Sequence, residues 1–329
     1  MLKKIAVAGS GSWATALVKI FAESGISVSW LVRSQDQADY IQANGRNPRY
    51  LSYTNLDLKY IHPTVNAEKA FADAQLVIFA VPSAYLQDTI STIEPKWLQA
   101  HKVAVSIKGF VPGTGLIPST FLQTKLELQN PVTVLSGPCH AEEIASQRNT
   151  YVTIAGEEKD WVANISKSLR AHYVKAIENH DPQGVEYVAI LKNIIAIATG
   201  IANGLHYGDN FQAVLTCNAM RETEHLLRKI SPRKRDLFDS VYFGDMLVTA
   251  YSDYSRNRTL GKLIGRGLQV NKALQAMEMV AEGYQASREL EPLIRELRLS
   301  LPVINSVYRI LHQHANPFHE FKLIEQQLR

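Results

Sequence analysis

Disulfide chemistry, low-complexity tracts and long uninterrupted apolar runs are all missing from this chain. Two cysteines among 329 residues, Cys139 and Cys217, cannot staple a secreted scaffold, and a reducing cytoplasm is the expected setting. Lys192, Asn193, Gly200 and Asn203 interrupt the most apolar segment too often for a membrane span. Met1-Leu2-Lys3-Lys4 begins as an export signal does, yet the apolar run behind it ends at Gly9, too early for one. No repeat at solenoid spacing occurs. Charge of one sign is scarce as well: 35 Lys and Arg against 31 Asp and Glu leave +4, which suits anionic cofactors and substrates but is too little for a nucleic-acid surface. The densest basic run, Arg228 to Arg235, holds Pro232 and reads as a solvated loop between helices, with contact to anionic lipid as its other use.

What the chain does have is a glycine turn between two periodic segments. Lys4 to Ala8 is a short apolar run; Gly9-Ser10-Gly11-Ser12-Trp13-Ala14 follows, and a helical pattern begins. In a strand, turn and helix of this kind the first glycine makes the turn and the second lets a pyrophosphate approach the backbone. A small third residue, here Ala14, permits close helix packing. A second strand over Ser27 to Val32 ends at Arg33, where a strict NAD site carries an acid. An arginine there can meet a 2′-phosphate or stack on adenine, and Asp36 leaves NAD open; a plain strand-end arginine is the alternative. Apolar runs at Leu76 to Val81, Val103 to Ile107 and Val132 to Leu135 supply further strands of a mostly parallel sheet. From about Asp181 helical patterns take over, with Asp181-Pro182 as a helix start. The expectation is an α/β protein: a Rossmann-type domain over 1–180 and an all-helical domain over 181–329.

Lys192 carries the first chemical signal. Between Tyr187 and His206 it is the one charged side chain, and a buried ammonium costs so much that it either finds a partner or releases its proton. It is a catalytic candidate, or else it snorkels to the surface. Asp245, in the nearly apolar stretch Phe243 to Tyr251, could be its partner. Lys108 follows an apolar strand at the sheet edge where ligands bind, and could hold a phosphate or polarise a carbonyl. Ser255, Arg256 and Asn257 gather donors ahead of a helical stretch and suit a phosphate clamp. Gly137-Pro138 turns into a helix start able to meet an anion. Cys139 and His140 lack the spaced partners of a zinc site and read as structural, so no metal is expected.

Seven segments taken together resemble the NAD(P)-dependent glycerol-3-phosphate dehydrogenases. They are the Gly9 turn, Ser106 to Gly109, Gly137-Pro138, Leu191-Lys192-Asn193, Gly244-Asp245, Ser255 to Arg258, and Val280 to Gly283. The resemblance implies that Ser12, Trp13, Arg33, Lys108, Ala141, Arg256, Val280 and Glu282 line a site for NAD or NADP. It implies too that Lys108, Gly137, Cys139, Lys192, Asp245, Ser255, Arg256 and Asn257 hold glycerol 3-phosphate, with Lys192 as proton acceptor and Asn193 and Thr249 also at substrate-contacting positions. Cys139 and His140 depart from the hydroxyl-bearing residue and aromatic usual after Gly-Pro, and the stretch before Asp245 lacks the usual small-apolar repeat. The implied role is interconversion of dihydroxyacetone phosphate and glycerol 3-phosphate, in support of phospholipid synthesis. Two rival readings stand beside it, a dehydrogenase of 3-hydroxy or sugar acids and a nicotinamide-binding sensor without catalysis. The amphipathic stretch Leu301 to Leu311 is open to two uses, a homodimer face or internal packing.

Overall fold

The computed structural model describes residues 1–277 and 281–329. The chain divides into two compact units, Met1–Ile107 with Leu116–Val185, and Lys108–Gly115 with Glu186–Arg329. The short segment from Lys108 to Gly115 thus groups with the helical unit although the strands on either side of it belong to the sheet.

The first unit is built on eight strands: β1 (Lys4–Ala8), β2 (Ser27–Leu31), β3 (Ile61–Thr64), β4 (Val77–Phe79), β5 (Val103–Val105), β6 (Thr133–Ser136), β7 (Thr150–Ala155) and β8 (Val174–Asn179). They form one sheet in the order β3-β2-β1-β4-β5-β6-β7-β8. All neighbours are parallel except β6 with β7. Strands covered on both faces need no alternation, which is why β4 and β5 read simply Val-Ile-Phe and Val-Ala-Val and are wholly buried. Edge strands look different. Pro63, which lacks a ladder donor, pairs with Trp30 in the outermost β3, and β8 at the other edge carries Lys175 and Glu178.

Seven helices connect these strands: α1 (Ser12–Glu23), α2 (Gln35–Asn44), α3 (Ala67–Phe71), α4 (Leu86–Ser91), α5 (Pro118–Lys125), α6 (Ala141–Ala145) and α7 (Lys159–Ser168). Ala14 to Ala22 of α1 are all buried, so its small residues let it lie close under the sheet.

The second unit contains α8 (Pro182–Gly204), whose first residues belong to the other unit, then α9 (Asp209–Ile230), α10 (Asp245–Tyr251), α11 (Arg256–Gly265), α12 (Val270–Gln275), α13 (Glu282–Glu296), α14 (Pro302–His312) and α15 (Pro317–Glu325). Asp181 caps α8, its carboxylate accepting the N–H of Gly184 at 3.1 Å. By length and composition α8 could cross a membrane, yet its apolar window is entirely buried by protein, as a core helix that is hydrophobic all round should be. Two glycines set how closely α11 crosses it. A Cβ on Gly200 would stand 2.2 Å from the carbonyl oxygen of Arg258, and one on Gly261 would stand 2.2 Å from that of Ile197. The apolar face of α14, Val303, Ile304, Val307, Ile310 and Leu311, is buried, and the helix packs on α9, α13 and α15. Internal packing therefore occupies this face. Glu222 of α9 caps the same helix, accepting the N–H groups of Val303 (2.7 Å) and Ile304 (3.1 Å).

Candidate active site

In the first unit the chain turns sharply after β1. Gly9 has φ +137°, and a Cβ there would stand 2.3 Å from the carbonyl oxygen of Ala80, so no other residue fits. Its N–H donates to Leu31 O (3.1 Å), and its own carbonyl accepts the indole N–H of Trp30 (2.6 Å). Gly11 is the N-cap of α1 and brings no side-chain cap, so the first-turn N–H groups, which by geometry lack intrahelical acceptors, are offered to something else. A Cβ on Gly11 would meet nothing within 4 Å, which is the room a pyrophosphate needs. Trp13 donates its indole N–H to Ser106 Oγ at 2.7 Å, and Ser106 donates in turn to Leu135 O at 2.7 Å. Arg33 is exposed just past the end of β2, beside Ser34, the N-cap of α2. Ser12 stands half-buried at the start of α1.

The Gly137-Pro138 turn after β6 leads into a short helix. That helix, α6, is five residues long and begins Ala141-Glu142-Glu143, so acidic side chains already complement its dipole. Cys139 is buried, and its thiol donates to the carbonyl of Gly137 at 3.1 Å.

In the second unit the structure joins residues that are far apart in sequence. The Lys192 ammonium bonds to Asp245 Oδ1, with side-chain exposures of 3% and 2%. The lysine is therefore paired inside the protein and does not snorkel. The other carboxylate oxygen, Oδ2, is buried with no hydrogen-bond partner among the described residues. A π-helical turn, Ser240–Gly244, leads into α10 and places Asp245 at its first position. Thr249, one turn later, spends its hydroxyl on Asp245 O at 2.7 Å.

Asn193 Nδ2 donates to Lys108 O (2.9 Å) and reaches Glu282 Oε2 at 3.5 Å, while its Oδ1 accepts from Asn257 Nδ2 (3.0 Å). Asn257 Oδ1 accepts the N–H of Gly283 at 2.9 Å. Ser255 acts as N-cap of α11, its hydroxyl accepting from Arg258 N. Arg258 is buried and bonded to Asp253 (2.7 Å), whereas Arg256 is exposed. Burial pushes the carboxyl of Glu282 up from its ordinary range, and the positive charges of Lys108, Arg256 and Lys192 pull it back down. Val280 lies outside the described residues.

Trp30, which holds Gly9, belongs to no sequence motif, and Ser106 stood in one without its bond to Trp13 being readable. The one available signal was an indole in an apolar strand, since a buried indole N–H has to find an acceptor.

Two family descriptions match the chain: NAD-dependent glycerol-3-phosphate dehydrogenase N-terminus over residues 4–162 and C-terminus over residues 181–322. The glycerol-3-phosphate dehydrogenase [NAD(P)+] of Clostridium botulinum (strain Alaska E43 / Type E3) is 33% identical over 317 residues, 96% of this chain and 95% of that protein. That of Staphylococcus aureus (strain USA300) is 33% identical over 319 residues with the same coverage. The crystal structure of glycerol-3-phosphate dehydrogenase from Coxiella burnetii superposes with a TM-score of 0.89 at 28% identity, covering 98% of both chains. With its Gly9 turn, its sheet order and its helical second unit all accounted for, the chain belongs to the NAD-dependent glycerol-3-phosphate dehydrogenase family and is an NAD(P)-dependent oxidoreductase.

Proposed function

We propose that this chain interconverts dihydroxyacetone phosphate and sn-glycerol 3-phosphate, with Lys192 as the general acid in reduction and the general base in oxidation. The observation that carries the reading is the buried Lys192–Asp245 pair. NADH or NADPH held at the Gly9 turn would supply the hydride that reduces C2 of the ketone. Lys192 Nζ donates a proton to the ketone oxygen, so that alkoxide charge never accumulates, and the same atom takes the proton back in the reverse direction. Asp245 holds the ammonium in place through Oδ1 and offers Oδ2 to a substrate hydroxyl. Arg256 anchors the phosphate with its forked guanidinium, and Lys108 adds a second positive charge. Binding energy from this remote group thereby orients the reacting carbon. On this reading the helical unit carries the substrate chemistry and the sheet unit the cofactor.

Run toward glycerol 3-phosphate, the reaction supplies the backbone of phospholipids. The exposed thiol of Cys217 suits a reducing compartment such as the cytoplasm.

The test is loss of near-ultraviolet absorbance of reduced nicotinamide when purified protein meets dihydroxyacetone phosphate, with Lys192→Ala as control. Turnover that falls by roughly 10²–10⁴-fold in the variant supports the assignment. Cofactor binding without turnover in the wild type overturns it.

A further inference from the structure

Three successive carbonyls of the glycine turn are each held by a buried side chain. Gly9 O accepts from Trp30 Nε1 at 2.6 Å, Ser10 O from Asn47 Nδ2 at 3.0 Å, and Gly11 O from Thr15 Oγ1 at 2.9 Å, in addition to the helical N–H of Thr15 at 3.0 Å. The last two donors are linked, because Asn47 Nδ2 also donates to Thr15 Oγ1 at 2.8 Å. The polarity of this chain of bonds is fixed at its far end. Asn47 Oδ1 accepts the backbone N–H groups of Arg49 (3.1 Å) and Tyr50 (3.3 Å), so its NH₂ must face the turn. The Thr15 hydroxyl receives from Asn47 and can then donate only to Gly11 O. Asn47 and Thr15 are both 0% exposed.

In a trans peptide the C=O of one residue and the N–H of the next point in opposite directions. Tying the carbonyls of Gly9, Ser10 and Gly11 to the interior turns the N–H groups of Ser10, Gly11 and Ser12 the other way. Those three N–H groups donate to no backbone acceptor among the described residues. Successive backbone N–H groups left without acceptors form an anion nest. We propose that Thr15 and Asn47 are positioning residues that preset this nest for the cofactor pyrophosphate, so that the turn need not be ordered when the cofactor arrives. The inference rests on the nicotinamide-cofactor reading and adds to it residues outside the Gly-x-Gly motif.

Two substitutions of Thr15 separate hydroxyl from shape. Thr15→Val keeps the branched outline and loses the bond to Gly11 O, whereas Thr15→Ser keeps the hydroxyl and loses a methyl. The measurement is the Kd for NADH by fluorescence titration, alongside kcat at saturating cofactor and the urea midpoint. Thr15→Val should raise the Kd about five- to tenfold, the worth of one hydrogen bond, with kcat retained, while Thr15→Ser stays within about twofold of wild type. Asn47→Asp reads the same link from its other end and serves if the valine protein does not fold. It sets an acceptor against Ser10 O and should raise the Kd about tenfold or more.

A serine protein weaker than the valine protein would mean that packing alone matters, and the inference fails. It fails equally if wild type and all variants bind NADH alike. Wild-type protein that binds no NADH overturns the cofactor reading itself.

Discussion

Lys192 and Asp245, 53 positions apart in the chain, meet as an ion pair inside the helical unit, each side chain almost fully withdrawn from solvent. Desolvating two charges usually costs as much as their attraction returns, so such a pair is poor evidence for a stabilising role. The alternative is the chemical role proposed above. The pair lies on α8 and α10, Asp245 Oδ2 has no hydrogen-bond partner among the described residues, and Lys108, Arg256 and Lys192 all lower the carboxyl pKa of Glu282.

Stability and activity should therefore separate at this pair. Asp245→Asn leaves a buried ammonium without its counter-charge and should destabilise the protein by about 3 kcal/mol. The double variant Lys192→Met/Asp245→Leu fills similar volume without charge and should return to within about 1 kcal/mol of wild type. It should show no turnover of dihydroxyacetone phosphate. Urea unfolding with a parallel NADH-oxidation assay decides the matter, and a double variant as unstable as Asp245→Asn would make the pair chiefly structural.

The crossing of α8 and α11 gives a second expectation. An alanine at Gly200 or Gly261 forces the helix backbones apart, because the added Cβ would stand 2.2 Å from a carbonyl oxygen of the facing helix. A loss of about 2 kcal/mol or more is expected from such overpacking. The displaced helix carries Arg256 and Asn257, so the apparent KM for dihydroxyacetone phosphate should rise as well. Gly208→Ala, at a position where a Cβ meets nothing within 4 Å, is the control and should change neither quantity appreciably.

Much of the first unit was legible because a buried parallel sheet announces itself as short apolar runs, as at Val77 to Phe79 and Val103 to Val105. The last two strands were not. Thr150 to Ala155 and Val174 to Asn179 interleave their apolar residues with Thr, Lys, Glu and Asn, so neither reads as an unbroken apolar run. Lys192 and Asp245 were each conspicuous as a lone charge in an apolar stretch, and that is why their pairing could be anticipated. Asn47 and Ser106 could not be found in this way. A polar residue that serves by bonding to backbone resembles any loop or strand-end residue until the fold shows which carbonyl it reaches.

Glu222 makes a prediction about pH. Burial lifts its carboxyl to about 7 against an ordinary 4.5, with the N–H groups of Val303 and Ile304 opposing the rise. A folded-state value above the unfolded one means that the folded protein holds the proton more tightly. The stabilising contribution is full below about 4.5 and is lost as pH rises through about 7. A difference of that size corresponds to about 3 kcal/mol. Urea midpoints of wild type and Glu222→Gln, compared at pH values across this range, should show wild type losing ground to the variant as pH rises. Parallel curves would place the ionisation of Glu222 at its ordinary value.

Cofactor choice should hang on Arg33. The residue is exposed at the end of β2, where an acid would repel a 2′-phosphate and accept from a ribose hydroxyl, while a guanidinium pairs with the phosphate. Arg33→Asp replaces attraction by repulsion for NADPH alone, because NADH carries no charge at that position. A charge-assisted contact contributes about 1.5–3 kcal/mol, so the KM for NADPH should rise at least about tenfold while that for NADH changes by no more than about threefold. Steady-state kinetics with both reduced cofactors at saturating dihydroxyacetone phosphate measures the two ratios. Equal losses would show that Arg33 touches a part common to both cofactors, such as the adenine ring, and the 2′-phosphate would then have to be read by another side chain.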